Sequence, residues 1–271
     1  MRFMANIGGN SPKLLDMESI PFPAIFLYIC LGWMFIAIAT FVVLRFVSAP
    51  YGRHTRAGWG PTLPNHVGWI IMELPGLVLM PLLFAIGPVE KTEVHWLVLG
   101  MYWLHYVHRA LIFPFRLKTR GKRMPVAIMG SAVFFNLVNT GLMGTWLGWL
   151  AVWPEGWLTG PQAVVGILLF LLGAAINIDS DTRLINLRKG AETGYKIPHG
   201  GMFRWVSCPN LLGEMIEWCG YALLAWHVAP LTFAVWTIAN VLPRGLDHHR
   251  WYKEHFADYP KDRKAVFPWL L

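Results

Sequence analysis

The sequence predicts an all-α, polytopic membrane protein with seven transmembrane helices. Of its 271 residues, 55% are hydrophobic and only 14% are charged, and the mean hydropathy is +0.45, whereas about a quarter of the residues in an ordinary soluble domain are charged. Seven apolar segments are long enough to cross a hydrocarbon core roughly 30 Å thick. No internal repeat, low-complexity tract or long linker separates them. We therefore expect one helical domain over residues 1–271.

The seven predicted spans follow one another with short polar connections. The first is expected to act as an uncleaved insertion signal, because residues 1–20 are mixed in polarity and lack a basic start followed by an apolar run. The sixth and seventh are shorter or interrupted. The predicted spans are residues 23–47, 66–87, 94–115, 126–153, 163–187, 210–226 and 231 to about 244.

The lysines and arginines predict the orientation of these spans. The connections after the first, third and fifth spans and the carboxyl-terminal tail are basic, whereas the other connections carry only Lys91. Because cytoplasmic connections retain Lys and Arg, the amino terminus is predicted outside and the carboxyl terminus in the cytoplasm. The membrane would be the inner membrane of a bacterium or the endoplasmic reticulum of a eukaryote. This topology and anionic lipid head groups account for the net charge of +8, so nucleic acid is not an expected partner.

The three cysteines do not suggest a disulfide framework or a metal site. Cys30, Cys208 and Cys219 are an odd, scattered set without a Cys-x-x-Cys or Cys/His ligand spacing. We expect buried thiols and no bound metal.

A polar stripe ends the fifth span. Asn177, Asp181 and Arg188 lie at i, i+4 and i+11, which places them on one helical face. Polar groups in hydrocarbon are costly to desolvate and usually have a ligand, a partner or water. The alternative is that Asp181 and Arg188 mark only the hydrated end of the span.

The sixth span carries a second stripe. Asn210, Glu214 and Glu217 lie at i, i+4 and i+7, beside Trp218. Two carboxylates in a short apolar segment are difficult to explain as solvated surface.

A third stripe ends the seventh span at Arg244, His248 and Tyr252, although a basic cluster that meets lipid phosphates would have the same pattern. All three stripes would lie at the cytoplasmic side. Amides and carboxylates suit a nicotinamide, a ribose or another hydroxylated group, and arginines suit phosphates. The stripes therefore predict a polar ligand site that opens to the cytoplasm.

The amino-terminal half contributes a second kind of candidate. Glu73 lies deep in the second span, where a carboxyl group is costly to ionise and, when neutral, can donate a hydrogen bond. Tyr106 and Arg109 lie three residues apart in the third span. A buried tyrosine is more often a core residue with a satisfied hydroxyl than a catalyst.

These positions carry a resemblance to the steroid 5α-reductase family, the membrane 3-oxo-5α-steroid 4-dehydrogenases. It is close in the last hundred or so residues and thinner before them. The carboxyl-terminal motifs are Asn177-Ile-Asp-Ser-Asp181, Leu187-Arg188-Lys189, Gly194-Tyr195-Lys196-Ile-Pro198, Gly200-Gly201, Asn210-Leu-Leu-Gly-Glu214, Glu217-Trp218, His248-His249-Arg250, Tyr252, Asp258-Tyr-Pro-Lys261 and Arg263-Lys264. The amino-terminal motifs are Tyr51-Gly-Arg53-His-Thr55, Glu73-Leu-Pro75 and His105-Tyr106-Val-His108-Arg109.

The resemblance implies a monomeric seven-helix reductase that uses NADPH to reduce the C4–C5 double bond of a 3-oxo-Δ4-steroid or another lipophilic enone. Residues 66–115 would carry the pair that hydrogen-bonds the 3-keto oxygen, Glu73 and Tyr106, and residues 160–271 most of the NADPH site. Trp69 and Trp218 would flank the steroid. The implied cofactor-binding residues are Arg109, Asn177, Asp181, Arg188, Tyr195, Asn210, Glu214, His248, Tyr252 and Arg263, with Tyr51 and Arg53 near them.

The chemistry of enone reduction agrees with these residues. Hydride addition to C5 develops negative charge on the carbonyl oxygen, which the donors Glu73 and Tyr106 would stabilise. No Gly-x-Gly-x-x-Gly fingerprint follows a strand, so helix ends and the connection 190–201 would hold the dinucleotide instead. Asp179 and Asp247 stand where relatives often carry histidine and place extra negative charge near that site.

Three other functions remain open from the residues. One is a membrane enoyl-CoA, sterol or isoprenoid enone reductase. The second is an isoprenylcysteine-type methyltransferase that uses S-adenosylmethionine, although its usual paired glutamates are missing after His249-Arg-Trp-Tyr252. The third is a transporter, which would normally show inverted internal halves.

Overall fold

The computed structural model describes residues 21–48, 52, 58–118, 121–187 and 194–271. Five residues named above, Tyr51, Arg53, Thr55, Arg188 and Lys189, lie outside the described residues, as do residues 190–193 of the connection 190–201. Within the described residues the regular secondary structure is mainly helical, which confirms the predicted all-α class. Two three-residue strands are the exception: β1, Thr62–Pro64, pairs antiparallel with β2, Arg123–Pro125.

The helices follow the order of the seven predicted segments. The third segment is divided, because a π-helical turn, His108–Ile112, separates α3 from the short α4, and a second π-helical turn, Trp146–Leu150, extends α5. Short 3₁₀ turns lie at Trp157–Thr159 and Gly201–Arg204. The α-helices are α1 Phe22–Phe46, α2 Asn65–Ile86, α3 Glu93–Val107, α4 Phe113–Arg116, α5 Val126–Thr145, α6 Pro161–Asn186, α7 Pro209–Ala225 and α8 Val228–His255.

Local sequence explains where several helices begin. Proline opens α6 and α7 at the first helical position, where a missing backbone N–H costs nothing. Thr92 and His95 form a capping box at the start of α3. The Thr92 side chain accepts from the His95 backbone N–H, and His95 Nδ1 accepts from the Thr92 backbone N–H. At the other end of the chain, α8 continues beyond the predicted span end near residue 244 to His255, and its added turns carry the basic residues of the third stripe.

Four helical segments of the described chain are long and apolar enough to cross a membrane: Phe22–Phe46, Asn65–Ile86, Val126–Leu150 and Pro161–Asn186. The other three predicted spans fall on the interrupted α3, on the 17-residue α7 and on the more polar α8. The chain is thus a membrane protein by its apolar helices, and the count of seven spans remains a prediction.

Glycines bring α6 and α7 into close contact along their length. Gly166 and Gly173 lie on one face of α6, and Gly213 and Gly220 on the facing side of α7, each pair seven residues apart. A Cβ atom added at any of the four would overlap backbone atoms of the other helix. Small residues at such interfaces let membrane helices approach closely. This approach sets the polar stripe of α6 directly against that of α7.

Replacing Gly173 or Gly220 with Ala should therefore destabilise the protein by about 1–3 kcal/mol, because the added methyl group forces the helices apart. The measurement is the melting temperature of the purified protein in detergent. Gly130→Ala is the matched control, since a Cβ atom there meets no atom within 4 Å. If the Gly173→Ala and Gly130→Ala proteins had the same melting temperature, that result would contradict the close packing.

Candidate active site

Arg109 lies at the centre of a buried polar cluster. Its Nη1 atom is 3.5 Å from Asp181 Oδ2 on α6, and its Nε atom is 4.0 Å from Glu73 Oε1 on α2. The guanidinium group also lies over the rings of Trp69 and Phe113, 4.8 and 4.6 Å from their centroids. The cation is thereby held between two carboxyl groups and two aromatic faces.

The π-helical turn His108–Ile112 carries Arg109 at this position. A π-helical turn shifts the register of the residues beyond it, and such turns occur frequently at functional sites. Its neighbour His108 has a buried Nε2 atom without a hydrogen-bond partner among the described residues.

The stripes of α6 and α7 join this cluster through a chain of hydrogen bonds. The Asn210 side-chain amide donates to Asp181 Oδ1 at 3.0 Å, and the Asn177 amide donates to the Asn210 backbone carbonyl at 2.9 Å. Glu214 is half-buried, and its charge acts on Arg109. Four predicted cofactor-binding residues, together with Arg109, therefore come together.

Glu73 and Tyr106 are linked by a residue that the sequence did not single out. The Tyr106 hydroxyl donates to Asn136 Oδ1 at 3.2 Å. The Nδ2 atom of the same amide donates to the Met72 backbone carbonyl at 2.6 Å and approaches Glu73 Oε2 at 3.4 Å. The Tyr106 ring lies against Gly76, where an added Cβ atom would overlap it. The two predicted catalytic side chains thus belong to one buried assembly.

The sequence contains a signal for Asn136 in the polar face of α5. Asn136, Asn139 and Thr140 lie at i, i+3 and i+4 in an otherwise apolar segment, and all three are buried. Asn139 Oδ1 accepts from the Trp33 indole at 3.1 Å, and the Thr140 hydroxyl bonds the Tyr102 hydroxyl at 2.9 Å. Only the first of the three reaches the predicted catalytic pair.

A second buried pair lies beside Tyr106. His105 Nδ1 is 2.8 Å from Glu217 Oε1, and both side chains are almost fully buried. Trp218 packs against His105 at 4.7 Å between ring centroids and against Tyr106 at 6.4 Å. Trp218 is thus near the predicted carbonyl-binding pair, whereas the other predicted substrate residue, Trp69, contacts Arg109.

The carboxyl-terminal candidates form a second group around α8. Tyr252 stacks on Tyr259 with 5.2 Å between ring centroids. Arg263 lies over the Tyr259 ring, is 4% exposed, and donates from Nη1 to the Pro198 carbonyl at 3.1 Å. Its Nε atom is buried and has no hydrogen-bond partner in the described part of the chain. A buried cationic donor of this kind is suited to an anion such as a phosphate.

Two further candidates lie beside this group. The Lys122 ammonium donates to the Tyr195 hydroxyl at 3.2 Å, and the Tyr195 ring meets Trp251 of α8 at 5.0 Å. His248 Nε2 accepts from Arg244 Nε at 3.4 Å, one helical turn away. Tyrosine, histidine and basic side chains thus lie together at the carboxyl-terminal end of α8, and the cytoplasmic placement of this end stays a prediction.

His249 belongs to a hydrogen-bonded group at this end of α8 and adds no positive charge to the lysines and arginines around it. His249 Nδ1 is 2.6 Å from the Ser207 hydroxyl, which is also 2.6 Å from the Tyr259 hydroxyl. Burial lowers the pKa of His249, and the nearby cations Lys253, Arg263 and Lys264 lower it further. Burial raises the pKa of Tyr259, so both groups are neutral at pH 7.

The two unusual aspartates are paired with arginines. Asp179 Oδ2 accepts from Arg183 Nε at 2.8 Å, and Asp247 Oδ1 accepts from Arg250 Nη1 at 3.2 Å. Each pair lies on one helix at i, i+4 or i, i+3. The extra negative charge expected from the sequence is therefore offset locally.

One prediction about the cysteines is wrong. Cys30 and Cys208 are buried, but Cys219 is exposed, because it lies on a face of α7 away from the core. Across the described residues, no group of three or more His, Cys, Asp and Glu side chains could hold a metal ion.

Comparison with known proteins identifies close relatives. A family described as 3-oxo-5-alpha-steroid 4-dehydrogenase matches residues 122–271. The chain is 42% identical over 242 residues to 3-oxo-5-alpha-steroid 4-dehydrogenase 1 of Bos taurus, covering 87% of this chain and 93% of the relative. It is 40% identical over 261 residues to steroid 5-alpha-reductase DET2 of Arabidopsis thaliana, covering 94% and 100%. It is also 39% identical to the Homo sapiens 3-oxo-5-alpha-steroid 4-dehydrogenase 1, covering 87% and 92%.

Proposed function

The chain belongs to the 3-oxo-5α-steroid 4-dehydrogenase family of oxidoreductases, and from that premise we propose that it uses NADPH to reduce the C4–C5 double bond of 3-oxo-Δ4-steroids. One observation carries the proposal: Arg109 joins the Glu73 carboxyl to the polar stripe of α6 and α7. A carbonyl-binding pair and a site for a polar cofactor are thereby adjacent in one buried interior.

The carbonyl end of this interior suits an enone. Hydride addition at C5 moves electrons through the enone onto the 3-keto oxygen, which becomes an enolate oxygen. The Tyr106 hydroxyl and a neutral Glu73 carboxyl can each donate a hydrogen bond to it. Donors aimed at developing charge in a dry site typically contribute about 10²–10³ in rate each. The enolate then takes a proton at C4 to complete the 5α-dihydro product.

The second part of the interior suits a nicotinamide dinucleotide, which supplies the hydride when bound. Asn177, Asp181 and Asn210 offer amide and carboxylate groups that would bind the carboxamide and ribose hydroxyls. Arg263, whose buried Nε atom has no partner in the described residues, would bind a phosphate. His248, Tyr252, Tyr195 and Glu214 would complete this site, as would Arg188 beyond the described residues.

The proposed membrane arrangement has seven spans, with the amino terminus outside and the carboxyl terminus cytoplasmic, in a monomer. The number and direction of the spans are supported by the alternation of basic connections. The arrangement is also supported by the large apolar side chains that α1 exposes, such as Phe35 at 72% and Phe46 at 84% exposure. Such side chains suit a face in contact with lipid.

The test is incubation of the purified protein with testosterone and, separately, NADPH, NADH or S-adenosylmethionine, followed by mass spectrometry. We expect the 5α-dihydro steroid with NADPH and much less with NADH. A methylated product formed with S-adenosylmethionine would contradict the proposal. So would testosterone that stays unchanged with both NADPH and NADH.

A further inference from the structure

Asn136 connects Glu73 and Tyr106, the two side chains that would donate hydrogen bonds to the 3-keto oxygen in the proposed function. It lies on α5, whereas Glu73 lies on α2 and Tyr106 on α3, so one amide group joins three helices. Asn136, Glu73 and Tyr106 are only 5%, 8% and 3% exposed. Water therefore does not compete readily for these hydrogen bonds, and the geometry of the amide governs that of its neighbours.

The surroundings of the amide permit one orientation. Nδ2 faces the Met72 backbone carbonyl at 2.6 Å, and Oδ1 faces the Tyr106 hydroxyl at 3.2 Å. A rotated amide would set Oδ1 against that carbonyl oxygen, where two acceptors repel, and would turn a donor, Nδ2, toward the Tyr106 hydroxyl in place of the acceptor Oδ1. The main chain of α2 therefore determines the direction in which the Tyr106 hydroxyl donates.

From this geometry, and resting on the proposed function, we propose that Asn136 is a positioning residue for steroid reduction. It fixes the hydroxyl of Tyr106 and the carboxyl of Glu73 at one separation, so that a single keto oxygen can reach both. It also accepts the Tyr106 proton while no ketone is bound, so the buried hydroxyl always has an acceptor. When the ketone arrives, that hydrogen bond passes from Asn136 Oδ1 to the keto oxygen.

The first test compares Asn136→Ala with Asn139→Ala in the full-length protein. Asn136→Ala should lower kcat for the steroid by about 10–100-fold, as expected for misplaced reacting groups, and leave the KM for NADPH within about twofold. Asn139 lies three residues along α5, and its side chain bonds Trp33 rather than the site. Asn139→Ala should retain the wild-type kcat. Wild-type kcat in Asn136→Ala would overturn the proposal.

A double variant tests whether Asn136 acts through Tyr106. In the Tyr106→Phe background, Asn136→Ala should lower kcat by a smaller factor than it does in the wild-type background, because the hydroxyl is already missing and only the placement of Glu73 is left to disturb. If the fold-loss in kcat of the double variant equalled the product of the fold-losses of the two single variants, the result would contradict a shared role. If Tyr106→Phe itself reduces the steroid at the wild-type rate, the role of Tyr106 fails and the inference about Asn136 fails with it. If the wild-type protein leaves the steroid unchanged with NADPH, the proposed function fails instead, which distinguishes the two failures.

Asn136→Asp tests the amide with a side chain of nearly the same shape, so that misfolding does not obscure the result. Its ionised carboxylate cannot donate to the Met72 carbonyl, whereas its protonated form can. The kcat of Asn136→Asp should therefore rise relative to wild type as the pH is lowered. A pH profile parallel to that of wild type would overturn the inference.

Discussion

Glu73→Gln and Tyr106→Phe are each expected to lower kcat for steroid reduction by about 10²–10³-fold. Tyr106→Phe removes one donor to the developing enolate oxygen, and Glu73→Gln replaces an acidic O–H donor by a weaker amide N–H donor. The KM for NADPH should change little, since neither side chain belongs to the proposed cofactor site. Single-turnover rates with testosterone and excess NADPH measure this directly.

Tyr102→Phe provides the control for this pair. Tyr102 stacks on Tyr106 with 4.7 Å between ring centroids, and its hydroxyl bonds Thr140. Its replacement removes a buried phenol one helical turn from Tyr106 without removing a donor to the ketone. Wild-type rates in both Glu73→Gln and Tyr106→Phe would show that neither side chain activates the carbonyl.

Arg109→Gln is expected to have the second large effect. Without the cation, Asp181 loses a buried opposite charge 3.5 Å away, and the Glu73 carboxyl loses its cationic neighbour at 4.0 Å. Breaking a buried ion pair by removing one partner typically costs about 3–5 kcal/mol. The melting temperature in detergent should fall clearly, and NADPH should no longer raise it as it does for wild type.

Arg183→Gln is the matched control for Arg109→Gln. It also breaks an arginine–aspartate ion pair, but the side chains of Arg183 and Asp179 are 40% and 50% exposed. Exposed pairs contribute little to stability, so this variant should melt near wild type and retain the response to NADPH. Equal stability of the two variants would contradict a central role for Arg109.

Helical periodicity was sufficient to predict much of the candidate site. Asn177 and Asp181 occur one turn apart, as do Asn210 and Glu214, so each pair shares a face whatever the rest of the fold does. Periodicity within one helix does not predict that the pair on α6 contacts the pair on α7. This contact depends on the glycines of both helices, which allow the backbones to approach.

Other features depended on tertiary structure and were not predicted. The π-helical turn that carries Arg109 has neither a proline nor a glycine within it. The partnership of Asn136 with Tyr106 joins residues 30 positions apart on different helices, and no pattern in one helix specifies its partner on another. The exposure of Cys219 also depends on which face of α7 meets the core.

The most direct measurement of the proposed chemistry uses NADPH in which both hydrogens at nicotinamide C4 are replaced by deuterium, with testosterone as the substrate. We predict a 5α-dihydro product that carries deuterium at C5 and solvent hydrogen at C4. Deuterium at C3 would show reduction of the ketone instead, and an unlabelled product would show that the hydride does not come from the cofactor. Either result would contradict the proposed function.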